Sequence, residues 1–251
     1  MDRISDSGSD DRRSIRLGGT TILTAMDVIN AESMLAVIHE AGLIPFFSNL
    51  IPGYSIEERT PREFWFDGGD TLGPWDWKID CVQSGDIAYG KFVLGGKAAF
   101  ATFEVYRELL NWRRSKSAYL PNEDEKKVLD LMASQGSVEM REIRRLLGVK
   151  KSAADALMAR LQMKTLALTG DITRVYRGQD LHYVGWQVST FCSPESLFED
   201  TPDKSFPFAA FMEARSLRSS LSPAESYRYL SDIIRKNAPD ASDAQIAKML
   251  G

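Results

Sequence analysis

This 251-residue chain is poor in the residues that build covalent or metal-stapled folds: it has two cysteines and two histidines. Cys81 and Cys192 lie far apart with no metal-ligand neighbours, so a disulfide framework is excluded and a pair of buried thiols in a reducing compartment is expected. His39 and His182 are equally solitary. No zinc spacing can be assembled from them, so neither a metal nor a cofactor is expected, and His39, on an apolar helix, reads as a packed residue. Long apolar runs are missing too. The one around Leu43–Phe47 falls far short of the roughly 20 residues that a bilayer span requires, so no membrane helix is expected. The N-terminus mixes both charges with no apolar stretch behind it, which suits neither a signal nor a transit peptide. A cytoplasmic protein of bacterial type follows as the expectation, with a disordered leader over residues 1–20. Gly95-Gly96-Lys97 lacks the flanking spacing of a phosphate-cradling loop, and no Ser-His-Asp or Cys-His arrangement finds a supporting motif.

What is present is globular in composition, with 43% hydrophobic and 26% charged residues. The net charge of −4 hides an asymmetry: residues 137–178 hold nine basic and four acidic side chains, which leaves −9 for the rest. A uniformly basic coat is excluded, but a local basic surface is not.

Along the chain, Met34, Leu35, Val37 and Ile38 have helical spacing, with Asn30 as N-cap and Gly42 as terminator. A segment rich in Gly, Pro and aromatics runs from Ile44 to Glu58 and reads as a structured loop or a pair of short elements. Phe64–Phe66, Trp75–Lys78, Ile87–Val93 and Ala98–Phe103 read as strands of a small antiparallel sheet, with Gly85, Gly90, Gly95 and Gly96 at its turns, before a helix over Glu104–Arg114. Pro121 marks the best boundary. Beyond it, Asn122 and Glu125 form a capping pattern for a helix ending at Gly136. A second apolar stripe, Met140–Leu147, closes at Gly148, and a third helix begins near Ser152 with Lys151, Asp155, Arg160 and Lys164 facing outward. Two strands, Leu166–Thr169 and Tyr183–Ser189, flank a polar loop holding Asp171, Arg174 and Arg177.

That order predicts a winged helix-turn-helix. The expected fold class is α+β: a winged-helix domain at 121–192, an N-terminal α+β domain at 21–120 with a winged-helix-like form as one option, and a linker with C-terminal helices at 193–251. Ser222 and Ser242 are the N-cap candidates of the last two helices, which could pack on either domain. Arg144, Arg145, Lys150, Lys151, Arg160, Lys164, Arg174 and Arg177 are the candidate nucleic-acid contacts, and double-stranded DNA the expected partner. The alternative is an ordinary solvated helix face, or a winged helix that serves protein–protein contacts.

Leu43–Asn49, Ile51–Glu58, Gly73–Lys78 and Ala88–Phe92, together with Arg160–Met163 and the closing Ala244–Gly251, resemble the bacterial AlkZ-related proteins over about residues 31–251. The resemblance implies distant kinship with winged-helix DNA glycosylases, which release damaged bases from a DNA channel. It implies a monofunctional DNA glycosylase if the chain is catalytic. In the active enzymes a Gln-x-Gln or Gln-x-Asp motif follows a helix of the first domain; the corresponding stretch here, Gly42–Asn49, has Pro45 and Phe47 at that spacing, and no Gln-x-Gln occurs in the chain. Base excision needs a stacking surface for a flipped nucleotide and a carboxylate or amide that aims water at an oxocarbenium-like sugar. Trp65, Trp75 and Trp77 are the stacking candidates, Asn49, Glu57 and Asp76 the catalytic ones with Glu58 beside them, and Lys78 a phosphate ligand. The competing reading makes the tryptophans core residues and the charges solvated, with Trp75 and Trp77 on one strand face and Asp76 on the other.

Overall fold

The computed structural model describes residues 27–66, 72–93, 95–198 and 216–251. The expected leader and the middle of the linker, 199–215, lie outside the described residues. The fold is a mixture of helix and strand.

Helix α1 (Ala31–Ala41) starts where Asn30 Oδ1 accepts from Ser33 N at 2.7 Å and stops at Gly42, whose φ of 72° needs a glycine. Met34, Val37, Ile38 and Ala41 form its buried face, while His39 is exposed in the last turn, not packed as the sequence suggested. Strand β1 (Leu43–Pro45), the short helices α2 (Ile56–Arg59) and α3 (Glu63–Phe66), and helix α4 (Pro74–Gln83) follow. Strands β2 (Ile87–Val93) and β3 (Lys97–Thr102) then lead into α5 (Phe103–Arg114). The three strands form an antiparallel sheet in the order β1-β3-β2.

Two of the expected strands are helices. Trp75–Lys78 belongs to α4: Gly73 is extended, Pro74 supplies a helix-ready φ at the first position, and the buried set Pro74, Trp77, Lys78, Cys81, Val82 recurs every three or four residues. Phe64–Phe66 lies in α3. Aromatic density mimicked β-propensity, which tertiary context overrides. The rotation separates the tryptophans, so that Trp77 is 5% exposed and Trp75 47%. Gly90 marks no turn either: it lies inside β2, where a Cβ would stand 2.6 Å from Gln162 Oε1.

Helix α6 (Glu123–Gln135) opens with the Asn122–Glu125 capping box and is followed by β4 (Ser137–Glu139), α7 (Met140–Leu147) and α8 (Lys151–Met163). Strands β5 (Leu168–Arg177) and β6 (His182–Cys192) form a long hairpin, and the second sheet has the antiparallel order β4-β6-β5. Asp171, Arg174 and Arg177 therefore stand in β5, not in a loop, and only residues 178–181 make the turn. Polar side chains persist along β5 because this strand faces α4, where Gln83 and Asp80 bond to them.

Val128, Met132, Val138, Ile143, Leu157, Met158 and Leu161 form one apolar cluster, and the N-terminal elements another. The larger cluster also takes in Ile172 of β5 and Leu230, Ile246 and Leu250 of the C-terminal helices. Those follow α9 (Pro194–Phe198) as α10 (Pro223–Asn237) and α11 (Asp243–Leu250), capped by Ser222 and Ser242 as the sequence suggested. Their docking is polar as well as apolar. Glu108 of α5 accepts from Ser219 and Ser226 Oγ, both at 2.6 Å, and Asn111 Nδ2 donates to Leu221 O at 2.9 Å. Arg113, fully buried, donates to Leu250 O, Phe92 O and Met163 O, so one guanidinium satisfies carbonyls of α11, β2 and α8 together. Burial pushes its pKa down to about 10.

Candidate nucleic-acid interface

Where α8 and the β5–β6 hairpin meet α4 and β2, a cleft of about 240 Å³ remains, lined by Lys78, Tyr89, Asp155, Gln162, Thr169 and Ser189 among others. Polar contacts hold its walls together. Gln162 Oε1 accepts from Lys91 N at 2.8 Å, Gln83 Nε2 donates to Asp171 Oδ1 at 3.1 Å, and Arg174 Nη2 donates to Asp80 Oδ1 at 2.9 Å.

Lys78 is buried in this cleft, and its Nζ donates to Gln187 Oε1 at 2.9 Å. Gln187 Nε2 in turn donates to Trp75 O and to Tyr183 Oη, both at 3.1 Å. The ammonium lies 5.2 Å from the Trp75 ring centre and 6.0 Å from that of Tyr89. Burial lowers the Lys78 pKa to about 8, and the attraction of Asp76 offsets this only in part.

Trp75 crowns an aromatic cluster with Phe46 and Phe47, each with its ring centre 5.5 Å away, and with Trp65 at 6.1 Å. Of the three tryptophans it is the most exposed. Trp65 is half-buried, its indole Nε1 having no hydrogen-bond partner among the described residues, and Trp77 packs 5.3 Å from Phe64 in the core.

The three catalytic candidates are not brought together by any contact among the described residues. Asn49 staples its own loop, donating to Tyr54 O at 2.8 Å and accepting from Ile51 N at 2.9 Å. Glu57 accepts from Ser48 N and Oγ at 2.7 and 2.8 Å, and the neighbouring Glu58 accepts from Gly53 N at 2.8 Å. Asp76 stands apart on α4: its buried Oδ1, 3.7 Å from Arg174 Nε, has no hydrogen-bond partner among the described residues, while the carboxylate is hydrogen-bonded with the Tyr183 side chain.

The eight basic candidates divide. Arg144, Arg145, Lys150 and Lys151 are exposed at the α7–α8 turn and form no ion pair among the described residues. Arg177 is exposed in the hairpin and stacks over Trp186 at 5.2 Å. Lys164 and Arg160 are held by the wholly buried Glu125 at 2.6 and 3.2 Å, and Arg174 by Asp80. On α8, Asp155 is half-buried in the cleft wall and does not face outward. Sequence reasoning passed over Gln187, Gln83 and Gln162. Nothing local marks them, since Gln187 meets Lys78 across 109 residues of chain.

The chain belongs to the AlkZ-related family, whose model matches residues 28–251. No curated protein and no solved structure matches it. No helix among the described residues is long and apolar enough to cross a membrane.

Proposed function

We propose that this AlkZ-related chain is a DNA-binding protein of the base-repair type, with a winged helix-turn-helix at 121–192 set between an N-terminal α+β domain at 21–120 and a C-terminal helical segment at 193–251. The observation that carries the reading is the group Arg144, Arg145, Lys150 and Lys151: four exposed cations, unpaired among the described residues, on the turn between two helices. In winged-helix proteins the second of these helices enters the major groove and the hairpin contacts the backbone. Such contacts favour salt-sensitive binding with weak sequence preference. Arg177, stacked on Trp186, extends the basic surface into the hairpin. The family relation supports a damaged duplex as substrate, and the buried thiols Cys81 and Cys192 suit the cytoplasm.

If the chain excises bases, Asp76 is the best placed of the three catalytic candidates. One of its oxygens, buried and 3.7 Å from Arg174 Nε, has no hydrogen-bond partner among the described residues, and its neighbour Trp75 is half-exposed, while Asn49 and Glu57 are committed to their loop.

A second reading rests on the hairpin: Tyr176, Leu181, Trp186 and Val188 are 54, 67, 59 and 41% exposed, an apolar strip suited to a protein partner. Fluorescence anisotropy with an intact duplex and one carrying an abasic-site analogue, at low and moderate salt, separates the two. Micromolar or tighter binding that weakens steeply with salt supports the DNA reading. Absence of binding at low salt refutes it and puts the interaction module first.

A further inference from the structure

The most unusual group in the cleft is the Lys78 amine. A lysine is ordinarily solvated or paired with a carboxylate. This one is 6% exposed, forms no ion pair among the described residues, and has the neutral amide oxygen of Gln187 as its hydrogen-bond partner. Two aromatic rings flank it. It also lines a cavity of about 240 Å³, just below the ~300–1,000 Å³ typical of small-molecule sites, which leaves room for one sugar and not for a large ligand. Desolvated amines of this kind act as carbonyl nucleophiles, because the unprotonated form is accessible near neutral pH. Lys78 meets that condition, since burial brings its pKa to about 8.

We propose that Lys78 forms an imine with the aldehyde of a ring-opened abasic deoxyribose drawn from DNA into this cleft. The inference rests on the DNA reading above. The nitrogen lone pair attacks the C1′ carbonyl carbon; a C–N bond forms while the carbonyl π pair moves to oxygen. A proton passes from nitrogen to that oxygen to give the carbinolamine. Its hydroxyl then leaves as water after protonation, pushed by the nitrogen lone pair, and the protonated imine remains. Addition of water reverses the sequence, so no oxidant or reductant is consumed. Asp155, the carboxyl group on the α8 wall of the same cavity, can deliver and recover the proton. Trp75, half-exposed next to the amine, offers its face to the base beside the missing one.

The test uses the full chain and three probes: a duplex with a natural abasic site, the same duplex with a tetrahydrofuran analogue that has no aldehyde, and free 2-deoxyribose. Sodium borohydride reduces any imine to a stable amine, and peptide mapping of the wild-type adduct locates the attached lysine. The expected result is a covalent complex with the natural abasic duplex, attached at Lys78, lost in Lys78→Arg and retained in Lys91→Arg. Mapping on the wild-type protein keeps the result independent of whether Lys78→Arg folds. Attachment at Lys91 or elsewhere overturns the proposal, as does trapping of free deoxyribose without the duplex. Anisotropy on the tetrahydrofuran duplex separates the two failures. Binding without a Lys78 adduct removes the imine and leaves the DNA reading standing; neither binding nor adduct removes both.

Discussion

Arg174 and Asp80 meet at 2.9 Å across 94 residues of chain, with Arg174 Nη2 also donating to Asp76 O at 3.2 Å, so a cation that looks like a DNA contact in the sequence clamps the hairpin to α4. Arg174 is 19% exposed and Asp80 43%, so Asp80 left alone stays partly hydrated. Arg174→Ala is expected to lower unfolding free energy by about 1–2 kcal/mol, toward the low end for hydrogen bonds to charged groups because of that hydration. Denaturant melts of Arg174→Ala, Asp80→Ala and the double variant measure it. Full additivity would show that the two residues do not interact.

The cations that are unpaired among the described residues are expected to behave differently. Each phosphate neutralised contributes roughly 0.9 to the slope of log K against log salt on duplex DNA. Replacing Arg144, Arg145, Lys150 and Lys151 with alanine is expected to flatten that slope by about one for each phosphate left without its cation, with little change in melting temperature. Lys164→Ala is expected to do the reverse, since Lys164 is bound to buried Glu125 at 2.6 Å. An unchanged slope in the fourfold variant would place the duplex elsewhere.

This division explains what could be read in advance. The caps at Asn30, Asn122, Ser222 and Ser242 are local features, a side chain bonding a backbone amide three residues on, and their helices follow the sequence pattern closely. The alternating aromatics of Trp75-Asp76-Trp77 look like a strand; Pro74 and the burial of Trp77, Cys81 and Val82 make them a helix. The length of β5 was hidden for a related reason, because the polar residues that suggested a loop face Gln83 and Asp80 on α4. At the candidate interface, the clustering of basic residues is legible as composition. Which of them remain free is not, since that depends on Glu125 being buried beneath Arg160 and Lys164.

Glu125 also sets an acid limit on stability. Burial alone would raise its pKa, but hydrogen bonds from Lys164, the Asn122 amide and Arg160 outweigh that and hold it below the usual value of about 4.5. Glu108, beneath the C-terminal helices, is lowered in the same sense against its own burial by Ser219, Ser226 and Arg107. For such groups the unfolded chain binds protons first, so their contribution is complete above the ordinary carboxylate range and disappears as pH falls through the lower folded value. Glu125→Gln is therefore expected to cost about 1–3 kcal/mol at pH 7 and to lose less stability than wild type on acidification. Parallel acid-unfolding curves for the two proteins would show that Glu125 is not stabilised in its charged form.

Lys78 is shifted in the same direction, in a higher window, but here it is the charged form that the fold disfavours. Its folded pKa, about 8, lies below the ordinary 10.5, so between these values the unfolded chain keeps a proton that the folded chain has released. Stability contributed at this position therefore rises with pH through that interval, whereas below about 8 the fold carries the penalty of a buried ammonium. Cys81 on the same helix works against the trend: burial and then Asp80 raise its thiol to about 12, so stability falls as the unfolded thiol ionises above about 9. The difference between wild type and Lys78→Met cancels that contribution, as it does those of the other charged groups around the cleft: Asp76, Asp155, Lys91 and Arg174. Lys78→Met retains most of the volume without the charge, so it is expected to be the more stable protein at pH 7 by an amount that shrinks toward pH 10. Urea melts of both proteins across that range provide the measurement. A gap that does not change with pH would mean that the amine stays hydrated in the fold, and the chemical basis for imine formation at Lys78 would go with it.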